Sequence, residues 1–298
     1  SGRFEDRFER RREVYGSTLK EVKNKLALAG GIVVLLFLIV GCLAPVIAPH
    51  DPLEVNVSIR LQGPSQEYWL GTDHLGRCIL SRLLYGAQTT LLNSLVVLAG
   101  ILLIGIPLGL ISGFCGGWID NLIMRFADIV STFPSSLLAL AVVSVFGAGL
   151  QNVMIVLVAL WWAPFARILR SQVLKIKEKD FVMAAKASGT SKFKIVINHV
   201  LLNSISPIIV YSTLRVAAVI MHIASFSFIG LGTQPPAADW GVMLSDSKQF
   251  ISTAPLMMIW PGLSIMLVVF SLNMFGEGLN EALMPGGNTK AKQLGDGE

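Results

Sequence analysis

The chain has 298 residues, 53% hydrophobic and 14% charged, with a formal net charge of +5 and a mean hydropathy of +0.65. Its apolar residues fall in long uncharged runs, which excludes an ordinary soluble domain and makes it a polytopic membrane protein. The excess positive charge lacks the aromatic and basic interleaving of a nucleic-acid interface, and Cys42, Cys78 and Cys115 stand alone, without the C-x-x-C spacing of a disulfide framework or zinc site.

A helix needs about 20 apolar residues to cross the hydrocarbon layer. Six segments qualify: 26–48, 90–114, 129–146, 153–165, 205–229 and 255–275. The predicted fold is all-α, with six transmembrane helices. The first run is long for a signal-peptide core of about 7–15 residues, so it reads as a span. The fourth is short, but the alternative leaves the apolar stretch 155–163 in water. Pro45, Pro107, Pro134, Pro164, Pro207 and Pro261 lie in or at the edges of these spans. Each is expected to bend its helix, because proline removes a backbone hydrogen bond.

Orientation follows from lysine and arginine. The arm 1–25 carries Arg3, Arg7, Arg10, Arg11, Arg12, Lys20, Lys23 and Lys25, and the segment from Arg167 to Lys194 carries eight more. Only Arg60, Arg77, Arg82 and Lys248 fall where six spans would place them on the opposite side. The positive-inside rule then puts both termini and the loop 167–203 in the cytoplasm. The expected division is a basic arm (1–25), a transmembrane domain (26–285) and a cytoplasmic tail (286–298).

Between the first two spans lies Trp69-Leu-Gly-Thr-Asp-His-Leu-Gly-Arg-Cys-Ile-Leu-Ser-Arg82. It reads as a turn. Gly71 and Gly76 allow a tight backbone, Asp73 can accept backbone N–H bonds, and Arg77 and Arg82 can pair with it or with a partner.

The basic island reads as two short helices joined by a glycine. Phe181, Ala184, Ala185 and Ser188, following Asp180, recur at i, i+3, i+4 and i+7 and make one face of mostly small side chains. Gly189 stands where a helix stops in the left-handed conformation, and Thr190 or Ser191 can cap the next helix. That helix, 192–202, is expected to turn Phe193, Val196, Ile197, Val200 and Leu201 inward. In the fifth span Arg215 and His222 are seven residues apart, so they lie within about 20° on one helical face. Tyr211 and Ser225 extend this into a polar stripe. An arginine there must face protein or water, because exposure to lipid at mid-helix costs about 2.5–3.5 kcal/mol.

Catalytic groupings are absent. No G-x-x-x-x-G-K-[ST] loop exists, the nearest glycine–lysine groupings, ending at Lys192 and Lys290, lack phosphate-loop spacing, and no Ser-His-Asp or H-E-x-x-H constellation appears. A self-sufficient channel or ion-coupled carrier is the alternative reading. A carrier should hold buried carboxylates, yet the apolar spans contain no Asp or Glu, and Asp120, Asp128 and Glu277 fall near their ends. A scaffold would need no polar docking hairpin.

The pattern D-x-x-x-A-A-x-x-x-G from Asp180 to Gly189, with His199 and Asn203 ahead of Pro207, resembles the EAA loop of ATP-binding-cassette importer permeases. Asp180 stands where Glu is common, and Leu202 where a proline commonly precedes the Asn. The run from Leu70 to Arg82 is similar to the L-G-T-D-x-x-G-R-D-x-x-S-R signature of dipeptide, oligopeptide and nickel permeases, with Cys78 replacing the second Asp. Phe228-Ile-Gly-Leu-Gly232, Pro235-Pro236 and Trp240-Gly-Val-Met243 are similar to a further run of that family.

This resemblance implies the membrane subunit of an importer in the bacterial inner membrane. Asp180, Phe181, Ala184, Ala185, Ser188 and Gly189 would dock a cytoplasmic ATPase and receive its motion. The implied partners are a second homologous permease, two ATPase subunits that hold ATP and Mg, an extracytoplasmic solute-binding protein and the lipid bilayer. This chain would carry no cofactor or metal and no catalytic residue. The implied solute is a peptide, nickel or a metal chelate, and the run from Met221 to Gly232 looks closer to the nickel or metallophore branch. Within that framework the stripe of Tyr211, Arg215, His222 and Ser225 either lines the translocation path or buries Arg215 against a carbonyl or carboxylate of the partner permease.

Overall fold

The computed structural model describes residues 2–283, with side chains from residue 25 onward. The expected tail, 286–298, lies outside the described residues. The helices are α1 (Gly2–Ile47), α2 (Ile79–Cys115), α3 (Gly117–Thr132), α4 (Ser135–Phe146), α5 (Leu150–Ile176), α6 (Asp180–Ala187), α7 (Lys192–Phe228), α8 (Trp240–Ser247) and α9 (Leu256–Leu283). Among the described residues the only β pairing is an isolated bridge between Thr72 and Cys78. The fold is all-α, as predicted.

Five helices are long and apolar enough to cross a membrane: α1 from Lys25, α2, α5, α7 and α9. The expected third span departs from a continuous helix over 129–146. It is broken into α3 and α4, which meet at 79° and, taken together as one span, would make a sixth. The break lies at Phe133–Pro134, where Phe133 is extended (φ −80°, ψ 122°). Proline forces this, because its ring clashes with a helical preceding residue. Pro45, Pro107, Pro164, Pro207 and Pro261 instead sit inside unbroken helices.

Two further boundaries moved. The expected fourth span, 153–165, extends to Ile176 and takes Arg167 and Arg170 into α5, while the expected second span begins at Ile79, which puts Arg82 in the first turn of α2. The expected separate helix 192–202 is the start of α7, which runs unbroken through a π-helical segment, Ile195–Leu201. Its wider turn changes the inward register. Ile195 and Val200 are buried, Val196 and Leu201 are half-buried against the core, and Phe193 is 76% exposed, contrary to the face predicted from a regular helical period.

The helices share two apolar cores. One joins α2, α4, α5 and α7 through Val97, Ile101, Leu157, Phe165, Leu169, Val219 and Ile223, and the other joins α2, α7, α8 and α9 through Leu83, Leu91, Ile220, Trp240, Ile265 and Val268. Helix α2 belongs to both. Its contact with α5 is set by Gly105, Gly109 and Gly113, spaced one turn apart. A Cβ on Gly109 would lie 2.7 Å from the Ala166 carbonyl oxygen, and one on Gly113 would lie 2.7 Å from Val173 Cβ. Small residues at such spacing let two backbones approach, which is how helices associate in lipid, where apolar burial supplies little drive.

Gly109→Val should therefore part α2 from α5, at a cost of about 1–3 kcal/mol or more, because a backbone oxygen is in the way. The expected result is a clear drop in the thermal unfolding midpoint of the detergent-solubilised protein. Gly63→Ala, at a position with nothing within 4 Å, should unfold with the native midpoint.

Candidate functional site

The hairpin between α5 and α7 is closed by a glycine. Thr190 N–H donates to Ala185 O (3.1 Å) and Gly189 N–H to Lys186 O (3.1 Å), with Gly189 at φ +76°. This pair of bonds is the Schellman ending of a helix, and the left-handed residue costs a glycine nothing. Phe181, Ala184 and Ser188 are exposed on α6, as expected of one face, but Ala185 leans back on the core beside fully buried Val182. Asp180 opens the helix and is exposed. Ser191 occupies the capping position before α7, yet its side chain makes no capping bond, and the expected cap is absent. The hairpin is tied to α2 by Lys177 Nζ, which donates to Gly113 O (3.0 Å), and by Lys186, which sits 6.0 Å from the Phe114 ring centre.

At the other end of the bundle, Gly71, Asp73, Gly76, Arg77 and Arg82 come together in one buried knot. Asp73 Oδ1 accepts from Leu75 N–H (2.8 Å) and Arg77 N–H (3.0 Å), and its Oδ2 accepts from Arg77 Nε (2.6 Å) with Arg82 Nε at 3.6 Å. Arg77 also reaches Asp246 Oδ2 at 3.1 Å. Arg82 donates to the carbonyls of Pro52 (3.2 Å) and Pro236 (3.3 Å). Both arginines are almost wholly buried, at 2% and 1% exposure. Such charges are tolerable only when paired and fully hydrogen-bonded. Nothing local in the sequence marks Asp246 as their partner.

Asp239 fastens the same region to α2. Its Oδ1 caps α8 by accepting from Gly241 and Val242 N–H (2.9 and 3.2 Å), and Thr90 Oγ1 lies 3.4 Å from Oδ2. Burial pushes its carboxyl above the ordinary aspartate range, against the pull of those backbone N–H groups. The neighbouring Trp240, fully buried, donates from Nε1 to Leu83 O (3.0 Å) and fills the space left by Gly86, where a Cβ would lie 2.6 Å from the indole. The run Asp239-Trp240-Gly241 thus docks the loop after α7 onto the start of α2.

The stripe on α7 is real but only partly continuous. Arg215 donates from Nε and a terminal nitrogen to the Tyr211 hydroxyl, its guanidinium carbon lies 5.3 Å from the Trp161 ring centre, and Trp161 meets His222 edge to face at 4.6 Å. His222 Nδ1 lies 2.9 Å from Ala218 O on its own helix. No acidic side chain among the described residues pairs with Arg215. Ser225 faces a neighbouring cavity of about 610 Å³, lined also by Met221, Met258, Met266 and Asn273. Trp161, on α5, is the member that the α7 pattern alone does not reveal. Among the described residues no group of three or more His, Cys, Asp or Glu could hold a metal.

Bent and broken spans around a shared core, an arginine within one of them that has no acidic partner among the described residues, and a polar helical hairpin exposed at one end define the class, an all-α polytopic membrane protein. Residues 105–286 match the model of the binding-protein-dependent transport system inner membrane component family, and residues 22–64 match the N-terminal transmembrane domain of oligopeptide transport permease C. The chain belongs to the binding-protein-dependent transport system inner membrane component family.

Among its relatives, the dipeptide transport system permease protein of Alkalihalophilus pseudofirmus is 46% identical over 88% of this chain and 86% of its own length. The nickel transport system permease protein of Escherichia coli is 39% identical over 80% of this chain and 86% of its own. The glutathione transport system permease protein of Pectobacterium atrosepticum is 39% identical over 89% and 88%. A chain of the MetNI methionine ABC transporter, solved in inward facing conformations, shares the fold at a TM-score of 0.54 and 19% identity, covering 69% of this chain and 98% of that one. Membership sets aside the self-sufficient channel or carrier. The identities do not favour the nickel branch over the dipeptide branch.

Removing the Asp73 side chain leaves Arg77 and Arg82 buried with Asp246 alone. Breaking a buried pair this way costs about 3–5 kcal/mol, so Asp73→Ala should sharply lower the thermal midpoint and the yield of folded protein. Asp73→Asn retains the oxygen that caps the turn and should fall between native and Asp73→Ala.

Proposed function

We propose that this chain is one half of the translocation pore of an ATP-driven importer in the bacterial inner membrane, with both termini and the α5–α7 hairpin in the cytoplasm. It works with a second permease, two ATPases that hold and hydrolyse ATP with Mg, and an extracytoplasmic binding protein. The working unit is the membrane domain 26–285, with the arm 1–25 and the tail 286–298 on the cytoplasmic side. Relatives described as dipeptide, nickel and glutathione transport system permease proteins support an importer reading here.

The observation that carries the coupling reading is the α6 face of Phe181, Ala184 and Ser188. It is exposed, built of small groups around one aromatic ring, and held by a glycine turn at the end of α6. A protein surface can approach it closely. The solute reading rests on Arg215. A guanidinium inside a span, held by Tyr211 and Trp161 and lacking a carboxylate partner among the described residues, suits a solute that brings one. A bare divalent cation is repelled by it: two charges against one at about 5 Å cost roughly 7 kcal/mol at an effective dielectric constant near 20. Small peptides therefore fit better than nickel. His222, whose ring meets the same tryptophan, completes the lining, and Ser225 leads from it into the methionine-lined cavity, where adaptable thioethers suit varied side chains.

A valine at position 189 places a branched side chain in the left-handed conformation, a strain of about 1–2 kcal/mol or more. In the assembled complex Gly189→Val should lower uptake and solute-stimulated ATP turnover together. Full transport by that variant would remove the coupling assignment.

For the solute reading, Arg215→Ala should leave assembly intact and reduce peptide uptake into proteoliposomes at least tenfold. Arg215→Lys should retain part of it. Loss of assembly in both variants would instead assign Arg215 to the contact with the partner permease, and unchanged uptake would take it out of the mechanism.

A further inference from the structure

Helices α3 and α4 are attached to the rest of the molecule unlike any other span. They pack chiefly on α2 and α5, and of all α3 only Asp120 and Ala127 are buried. Trp118, Leu122, Phe126 and Ile129 are exposed. The segment begins at Gly116 and Gly117, both with positive φ (+68° and +57°) and with nothing within 4 Å of a Cβ, and it breaks again at Pro134. Its apolar seat is small: Ala127 lies against Trp162, Ala163 and Ala166.

Polar chemistry does the rest. Arg170 grips Asp120 with two parallel bonds, Nε to Oδ1 and a terminal nitrogen to Oδ2, both 2.6 Å, while Ser112 at the end of α2 donates to the same carboxylate. One turn earlier, Arg167 donates to Asp128 Oδ1 (2.9 Å), Ser131 Oγ (2.9 Å) and Ala127 O (3.0 Å). Two-pronged arginine–carboxylate pairs fix orientation as well as distance. Both arginines stand in the last turns of α5, and from there the chain passes to the hairpin without slack. Lys177 N–H bonds Val173 O, Lys179 N–H bonds Ile176 O, Val182 N–H bonds Lys179 O, and Val182 is buried in the same core as Leu169 and Val173.

We propose that Arg170 and Arg167 are positioning residues that transmit displacement of α6, through the end of α5, to the broken span α3–α4. The proposal rests on the coupling reading of α6. An elbow of 79° swung from its cytoplasmic end changes the wall of the path, whereas a straight span anchored along its length would not yield.

The test uses the complete complex, with its ATPases and binding protein, in proteoliposomes, and reads uptake of a labelled dipeptide per ATP hydrolysed. Arg170→Gln and Asp120→Asn should assemble and hydrolyse ATP within about twofold of native, yet transport at least fivefold less solute per ATP. The exchanged pair Asp120→Arg with Arg170→Asp should recover most of that ratio. Unchanged uptake per ATP in the single variants overturns the proposal. So does a parallel loss of assembly, ATP turnover and uptake, which is the mark of a merely structural pair. Failure of the coupling reading shows separately, as normal transport by Gly189→Val.

Discussion

The close approach of α2 and α5 is the constraint on which the remaining structure rests. Three glycines, one turn apart, remove the side chains that would otherwise separate the backbones, and Ala166 supplies the matching small surface on the other helix. In lipid the exclusion of water contributes little, so shape at this seam decides the register. Once α5 is set against α2, its remaining faces are assigned. Leu157, Phe165 and Leu169 enter the core toward α7, Trp161 meets Arg215 and His222, and Arg167 and Arg170 face α3.

Polar side chains then divide into two kinds according to what surrounds them. Asp73, Arg77, Arg82, Asp239 and Asp246 are enclosed and satisfied among themselves or by backbone groups, and they fasten the loops before α2 and after α7 into one cap. Such a cluster holds geometry firmly, since removing one member strands another in a medium that cannot solvate it. Arg215 is of the other kind. It is half-buried within a span, steadied by aromatic faces and one hydroxyl, with no acidic partner among the described residues. Firmness at the cap and availability in the span follow from the same cost of desolvation.

The end that carries the hairpin combines a stiff element with a loosely seated one. Helix α5 runs on from the glycine seam into a tightly bonded turn and α6, while α3 leans on it over a few small apolar contacts and two arginine pairs. The break at Pro134 is local in origin, as the extended Phe133 demonstrates. It falls at the end of α3, of whose residues only Asp120 and Ala127 are buried.

The residue pattern alone determined much of this protein. The all-α membrane fold, the glycine stop at position 189 and the turn built on Asp73 were legible, because they depend on composition, period and local backbone preference, while the permease family was legible only as a resemblance of the motifs at 70–82, 180–189 and 228–243. The packing role of Gly105, Gly109 and Gly113 emerged only with the helix they meet, α5. What only the tertiary structure decided depends on contacts distant in the chain. Asp246 joins Arg77 across 169 residues, Trp161 reaches Arg215 from another helix, and Arg170 of α5 holds Asp120 of α3 across 50 residues. At the start of α7 the regular helical period placed Val196, Val200 and Leu201 inward, as found, but also Phe193, which is 76% exposed just ahead of the π-helical segment. A sequence read residue by residue carries the rules of the backbone. Which charge meets which, and which helix is free to move, is settled only when the helices close on one another and desolvation forces each polar group to find its partner.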